Sequence, residues 1–133
     1  MAENNQKTIL IIEDELPQLK SLADEFTDEG FRVLQAQNGE AGLAMALREH
    51  PDIILLDMVM PIMDGMTMLK KLREKNAWGK SVPVILLTNL SPDDEQRTRD
   101  ITTTEPAYYL VKSKWNLRDV VEKVQERLSG PHS

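Results

Sequence analysis

The sequence predicts an α/β domain built on a doubly wound, five-stranded parallel sheet in strand order 2-1-3-4-5. Two observations lead there. Short apolar runs alternate with stretches of helical period five times along the chain. The runs are also apolar on both faces, as strands are when helices cover both sides of a parallel sheet. The 133 residues, 41% hydrophobic and 29% charged, suit one domain. Right-handed crossovers then give the doubly wound order, with any site beyond the carboxyl ends of the first and third strands, where the winding reverses.

Lys7–Ile12 reads as the first strand. Leu16, Leu19, Leu22, Ala23 and Phe26 fall on one helical face after it, with Pro17 in the first turn and Gly30 as the stop. Phe31–Ala36 is the second strand. Asn38 is placed to cap a helix that turns Ala41, Ala44 and Leu47 inward, and Pro51 ends it. Ile53–Leu56 is the most apolar strand. Gly65 closes a loop before a helical face begun by Met66, Leu69 and Leu72. Val82–Leu87 is the fourth strand. Ser91-Pro92 followed by Asp93, Asp94 and Glu95 starts a fourth helical segment, weak thereafter because Ile101 is its one strong apolar residue and Thr102, Thr103 and Thr104 oppose helix. Ala107–Val111 is the fifth strand, and Asn116 caps a last helix striped by Leu117, Val120, Val121, Val124 and Leu128.

The domain is expected over residues 7–128, with flexible termini at 1–6 and 129–133. With so little chain after the last helix, no output domain is expected. Sixteen basic against twenty-two acidic side chains leave a net charge of −6, which argues against nucleic-acid binding. The absence of cysteine excludes disulfides, thiol catalysis and thiolate metal sites. No stretch is long enough to cross a membrane, and Ile9–Ile12 is too short for a signal-peptide core, so a cytoplasmic protein is expected.

The strand ends carry the chemistry. The first strand runs into Glu13-Asp14-Glu15, the third into Asp57, the fourth into Thr88 and the fifth into Lys112. Hard oxygen ligands of this kind suit Mg²⁺ rather than zinc. Each residue taken singly has a plainer reading. An acidic run before a helix is commonly a dipole partner, the role assigned to Glu15, and a terminal Thr or Lys is commonly a turn or surface residue. Asp57 directly follows Ile-Ile-Leu-Leu and should be partly buried, so it needs a cation nearby.

In this order, on five βα units, these residues resemble the response-regulator receiver domains of two-component signalling. The resemblance runs from Thr8 to Leu128. It rests on Glu13-Asp14, on Leu-Leu-Asp-Met-Val-Met-Pro-Ile-Met-Asp-Gly at 55–65, on Thr88 and on Tyr109-Leu-Val-Lys112. It implies a flavodoxin-like receiver fold, with Asp57 as phosphoacceptor for a sensor histidine kinase. It further implies Mg²⁺ held by Glu13, Asp14, Asp57 and the backbone carbonyl of Val59, Lys112 paired with the phosphoryl oxygens, and Thr88 and Tyr109 as switch residues. The sequence departs from the pattern at Ser113, Asn89 and Glu105-Pro106.

The charge balance agrees with a switch. Glu13, Asp14 and Asp57 offset Mg²⁺ and Lys112, and a phosphoryl group carries about −2, so phosphorylation adds negative charge that recruits the Thr88 hydroxyl. The output surface is expected on the fourth helical segment, the fifth strand and the last helix. The partner is expected to be a downstream target protein or a histidine phosphotransfer protein, with neither nucleic acid nor membrane involved. A flavin carrier is disfavoured because Glu13-Asp14-Glu15 would repel the flavin phosphate, and a dehalogenase-type phosphatase because the first strand is not followed by its spaced Asp pair. The remaining alternative is a receiver-like docking module that is not phosphorylated.

Overall fold

A computed structural model describes residues 6–58, 60, 62–88, 107–111 and 116–129, with backbone alone at 88 and 107–111. Strands β1 (Thr8–Ile12), β2 (Arg32–Ala36), β3 (Ile53–Asp57), β4 (Val84–Thr88) and β5 (Ala107–Val111) form one parallel sheet in the order β2-β1-β3-β4-β5. That is the anticipated winding. The described helices are α1 (Leu16–Asp28), α2 (Gly39–Glu49), α3 (Gly65–Lys75), α4 (Ala77–Ser81) and α5 (Leu117–Ser129).

Alternation along the strands divides the core in two, because successive strand side chains point to opposite faces. Leu10, Ile12, Ile54, Leu56, Val84 and Leu86 pack with α2 and α3. Ile9, Ile11, Ile53, Leu55, Ile85 and Leu87 pack with α1 and α5, where Phe26 and Phe31 meet edge to face at 5.2 Å. These strand residues are at most 1% exposed. Burying each such side chain contributes about 1.5–3 kcal/mol, which is why the apolar runs were legible as strands.

The helix starts follow from their capping residues. Asn38 Oδ1 accepts from Ala41 N at 2.8 Å, and Asp64 Oδ1 from Thr67 N at 2.8 Å. Asn116 and Asp119 exchange backbone-to-side-chain bonds of 2.9 and 3.0 Å, a reciprocal cap that opens α5. Gly30 takes φ +95°, the conformation that releases the chain from α1 into β2.

Four sequence expectations are corrected. Leu16 does not face the core but is 58% exposed, because it opens α1 beyond the end of β1 and the helix first meets the sheet at Leu19. The inward face of α2 is Gly39, Gly42 and Ala46, while Ala41 and Ala44 are exposed and Leu47 half-buried. Here close approach outweighs side-chain bulk: a Cβ on Gly42 would collide with the Ile12 side chain. In α3, Met68 is fully buried and Met66 only partly so. Finally, β4 begins at Val84 rather than Val82, because the short helix α4 precedes it.

That helix is capped by Asn76, whose Oδ1 accepts from Gly79 N at 2.7 Å. Buried Arg73 donates from Nη1 to the carbonyls of Gly79 and Val82, both at 2.8 Å, and so clamps α3 to the start of β4. Beside it Trp78 stacks on His50 with ring centroids 4.2 Å apart. Gln6 and Ser129, assigned from sequence to the termini, bond to the Gly30 and Gln125 carbonyls. The helical segment expected after Ser91-Pro92, with Asn89, Glu105-Pro106 and Ser113, lies outside the described residues.

Candidate functional site

Register brings the acidic residues together. Ile12 pairs with Leu56 across the β1–β3 ladder, so the next residues along, Glu13 and Asp57, leave the sheet side by side. Glu13 N still bonds the Ala36 carbonyl at 3.0 Å, which carries the strand one residue past β1. Glu13 is fully buried, Asp57 is 3% exposed and Asp14 is half-buried. One carboxylate oxygen from each lies within 4.8 Å of the other two.

The backbone around Asp57 is fixed from both sides. Met58 N donates to Leu87 O at 2.9 Å, and Gly65 N reaches back to Met58 O at 2.9 Å. The first turn of α3 thereby lies on the acidic strand end. A Cβ on Gly65 would stand 2.5 Å from the Asp57 carbonyl oxygen and 2.9 Å from Met58 Cα, so glycine is the residue that fits. The loop between them holds Ile62 at φ 69°, where a β-branched residue is rare, with its side chain 74% exposed.

Sequence reasoning assigned Glu15 to the start of α1 and Asp14 to the ion. Asp14 lies in the acidic group with Glu13 and Asp57, and Glu15 lies outside it. Glu15 is the N-cap residue, its carbonyl accepting from Leu19 N at 2.9 Å, and its side chain makes no cap bond. The capping interaction comes instead from Glu13, whose Oε2 accepts from Glu15 N at 3.1 Å. Glu13 therefore contributes to the acidic group and to the helix start together. Sequence reading missed this second role, and missed Gly65 and Ile62 as shaping residues. The Asp64-Gly65 pair, a cap followed by the smallest residue, was the available signal.

Of the other candidates, Thr88 ends β4 one residue beyond Leu87, the register partner of Asp57, and Tyr109 pairs with Leu86 in β5. Their side chains, together with Val59 and Lys112, lie outside the described residues.

Three converging carboxylates, two of them buried, are a costly arrangement that a divalent cation relieves. The donors are all oxygen, there is no cysteine, and three ligands leave positions for water, a set that fits Mg²⁺. A divalent cation held there would offset negative charge on an anion brought up to the Asp57 carboxylate.

A profile of the response regulator receiver domain matches residues 9–125. The response regulator PleD of Caulobacter vibrioides is 42% identical over 82 residues, 62% of this chain and 18% of PleD. Protein PilH of Pseudomonas aeruginosa is 34% identical over 88 residues, 66% of this chain and 72% of PilH. Among solved structures, a chain of the CheX–CheY–BeF3–Mg²⁺ complex of Borrelia burgdorferi superposes with TM-score 0.78 at 30% identity. The match covers 90% of this chain and 87% of that one. The chain spans less than a fifth of PleD's length.

Proposed function

Because the chain belongs to the response regulator receiver domain family, we propose that Asp57 accepts a phosphoryl group from a sensor histidine kinase in a Mg²⁺-dependent reaction. The observation that carries this reading is the convergence of Glu13, Asp14 and Asp57 at one strand edge, with Glu13 and Asp57 buried.

An Asp57 carboxylate oxygen attacks phosphorus, the O–P bond forms, the P–N bond to the donor imidazole breaks, and the imidazole leaves with the bonding pair. Glu13, Asp14, Asp57 and the Val59 carbonyl would hold Mg²⁺, which when bound would supply charge neutralisation on the phosphoryl oxygens. The pinned Met58 and Gly65 amides keep Asp57 facing its two acidic neighbours, so little reorganisation is needed at the moment of transfer. Lys112 pairs with the transferred group, and Thr88 moves toward it while Tyr109 takes the space released. The surface formed by residues 93–104, β5 and α5 then changes its affinity for a downstream protein, or the phosphoryl group passes on to a histidine phosphotransfer protein. No described helix is long and apolar enough to cross a membrane. The net charge of −6 favours a protein partner over nucleic acid. A non-phosphorylated docking module is disfavoured, since it would have no use for buried carboxylates held in mutual repulsion.

Incubation with acetyl phosphate and Mg²⁺, followed by intact-mass measurement, should show one added phosphoryl group. The adduct should be absent with EDTA and absent in Asp57→Asn. Labelling of Asp57→Asn at the wild-type level would overturn the assignment.

A further inference from the structure

Six of the seven methionines fall between positions 45 and 68, five of them from 58 to 68. They share one core cluster: Met58, Met60 and Met68 are buried in it, while Met45, Met63 and Met66 pack against it half-buried. Methionine fills irregular gaps well, and that alone would explain buried thioethers. It does not explain why half-buried thioethers flank the turn that fixes the phosphoacceptor.

We propose that Met63 and Met66 form an oxidation-sensitive element, whose conversion to sulfoxide by peroxide-class oxidants slows phosphoryl acceptance at Asp57. This rests on the reading of Asp57 given above. The chemistry is a two-electron transfer: the thioether sulfur attacks one peroxide oxygen, the S–O bond forms, the O–O bond breaks, and the other oxygen leaves as water. Hydrogen peroxide is reduced and the thioether oxidised. The product is a polar, chiral side chain, poorly suited to an apolar contact.

Position makes the modification consequential. Asp64 is the N-cap of α3, which puts Met63 at the residue before the cap and Met68 at the fourth helical residue. Those are the two positions of a hydrophobic staple, the contact that sets the angle at which chain enters a helix. Met63 also lies tightly against the start of α2: a Cβ on Gly39 would collide with the Met63 carbonyl and come within 3.0 Å of its Cβ. Met66 belongs to the first turn of α3, directly after the Gly65 that rests on the Asp57 carbonyl. A sulfoxide at either position draws the turn toward water. The Gly65–Met58 bond that holds Asp57 in place loosens with it. Buried Met58, Met60 and Met68 are shielded and should react later.

The test is graded exposure of the purified protein to hydrogen peroxide. Sulfoxides are located by peptide mass mapping, labelling from acetyl phosphate with Mg²⁺ is timed, and the melting temperature is recorded. Expected are sulfoxides at Met63 and Met66 ahead of the three buried methionines, a severalfold slower labelling, and recovery after treatment with methionine sulfoxide reductases A and B. The Met63→Leu/Met66→Leu protein, a volume-conserving change, should label at the untreated rate before and after peroxide. Simultaneous oxidation of buried and half-buried methionines would overturn the proposal. So would unchanged labelling of protein oxidised at both positions, or equal peroxide sensitivity in the double variant. Untreated protein that takes no label would instead overturn the reading of Asp57. In that event the order of oxidation, and a lower melting temperature on oxidation of Met63, still test the element.

Discussion

Replacing Asp57 by asparagine should abolish phosphorylation and yet stabilise the protein when no divalent cation is present. The carboxylate oxygens of Glu13, Asp14 and Asp57 lie within 4.8 Å of one another. Two unit charges at that distance repel by about 3.5 kcal/mol at an effective dielectric constant of about 20, and by about 0.9 kcal/mol in bulk water. Asp57 takes part in two such pairs. The pair with half-buried Asp14 lies nearer the water value, and the pair with fully buried Glu13 nearer the higher one. Some of this is offset by the bonds that a carboxylate accepts better than an amide, leaving a net gain of about 1–3 kcal/mol. For a domain of this length that corresponds to a melting temperature higher by about 4–12 °C. Scanning calorimetry in EDTA measures it directly. Titrating Mg²⁺ should then raise the wild type more than the variant, closing the gap, because only a ligand bound to the folded state stabilises by mass action. An Asp57→Asn protein that melts below the wild type in EDTA would refute the picture of three mutually repelling carboxylates.

Three further outcomes follow from the same geometry. Asp14→Ala should weaken Mg²⁺ binding, followed by NMR shifts, while Glu15→Ala leaves it near wild type, since Glu15 is exposed and outside the acidic group. Gly65→Ala should cost about 2–3 kcal/mol in urea denaturation and slow labelling of Asp57, because the added methyl meets backbone that has no room to retreat. Ile62→Gly should gain about 0.5–1 kcal/mol by relieving the left-handed backbone, net of glycine's unfolded-state entropy, with labelling by acetyl phosphate unchanged.

The sheet was legible because β1, β3 and β4 are buried on both sides, so that Ile53–Leu56 stands out as an uninterrupted apolar run. The acidic triplet was legible for a related reason: parallel strands in register deliver their terminal residues to one edge, and Glu13 and Asp57 each follow such a run. The orientation of α2 was not legible. Apolar periodicity favours the largest side chains, but Gly42 approaches Ile12 of β1, and Gly39 approaches Met63 ahead of α3, through the lack of one. Helix α4 escaped notice because a single turn has no period to detect, and its stability comes from Asn76 and from the distant Arg73 clamp.

That clamp makes α3 a strut. One end is seated on the Asp57 strand end through Gly65, and the other is bolted through Arg73 to the carbonyls ahead of β4. A rod held this way transmits a push along its length rather than absorbing it by fraying. Eleven residues at about 1.5 Å each carry it roughly 16 Å, to the far side of the sheet. There Trp78 lies on the His50 ring, the two planes only 9° apart. The stacked pair and the acidic strand end thus stand at opposite ends of one helix that is held at both.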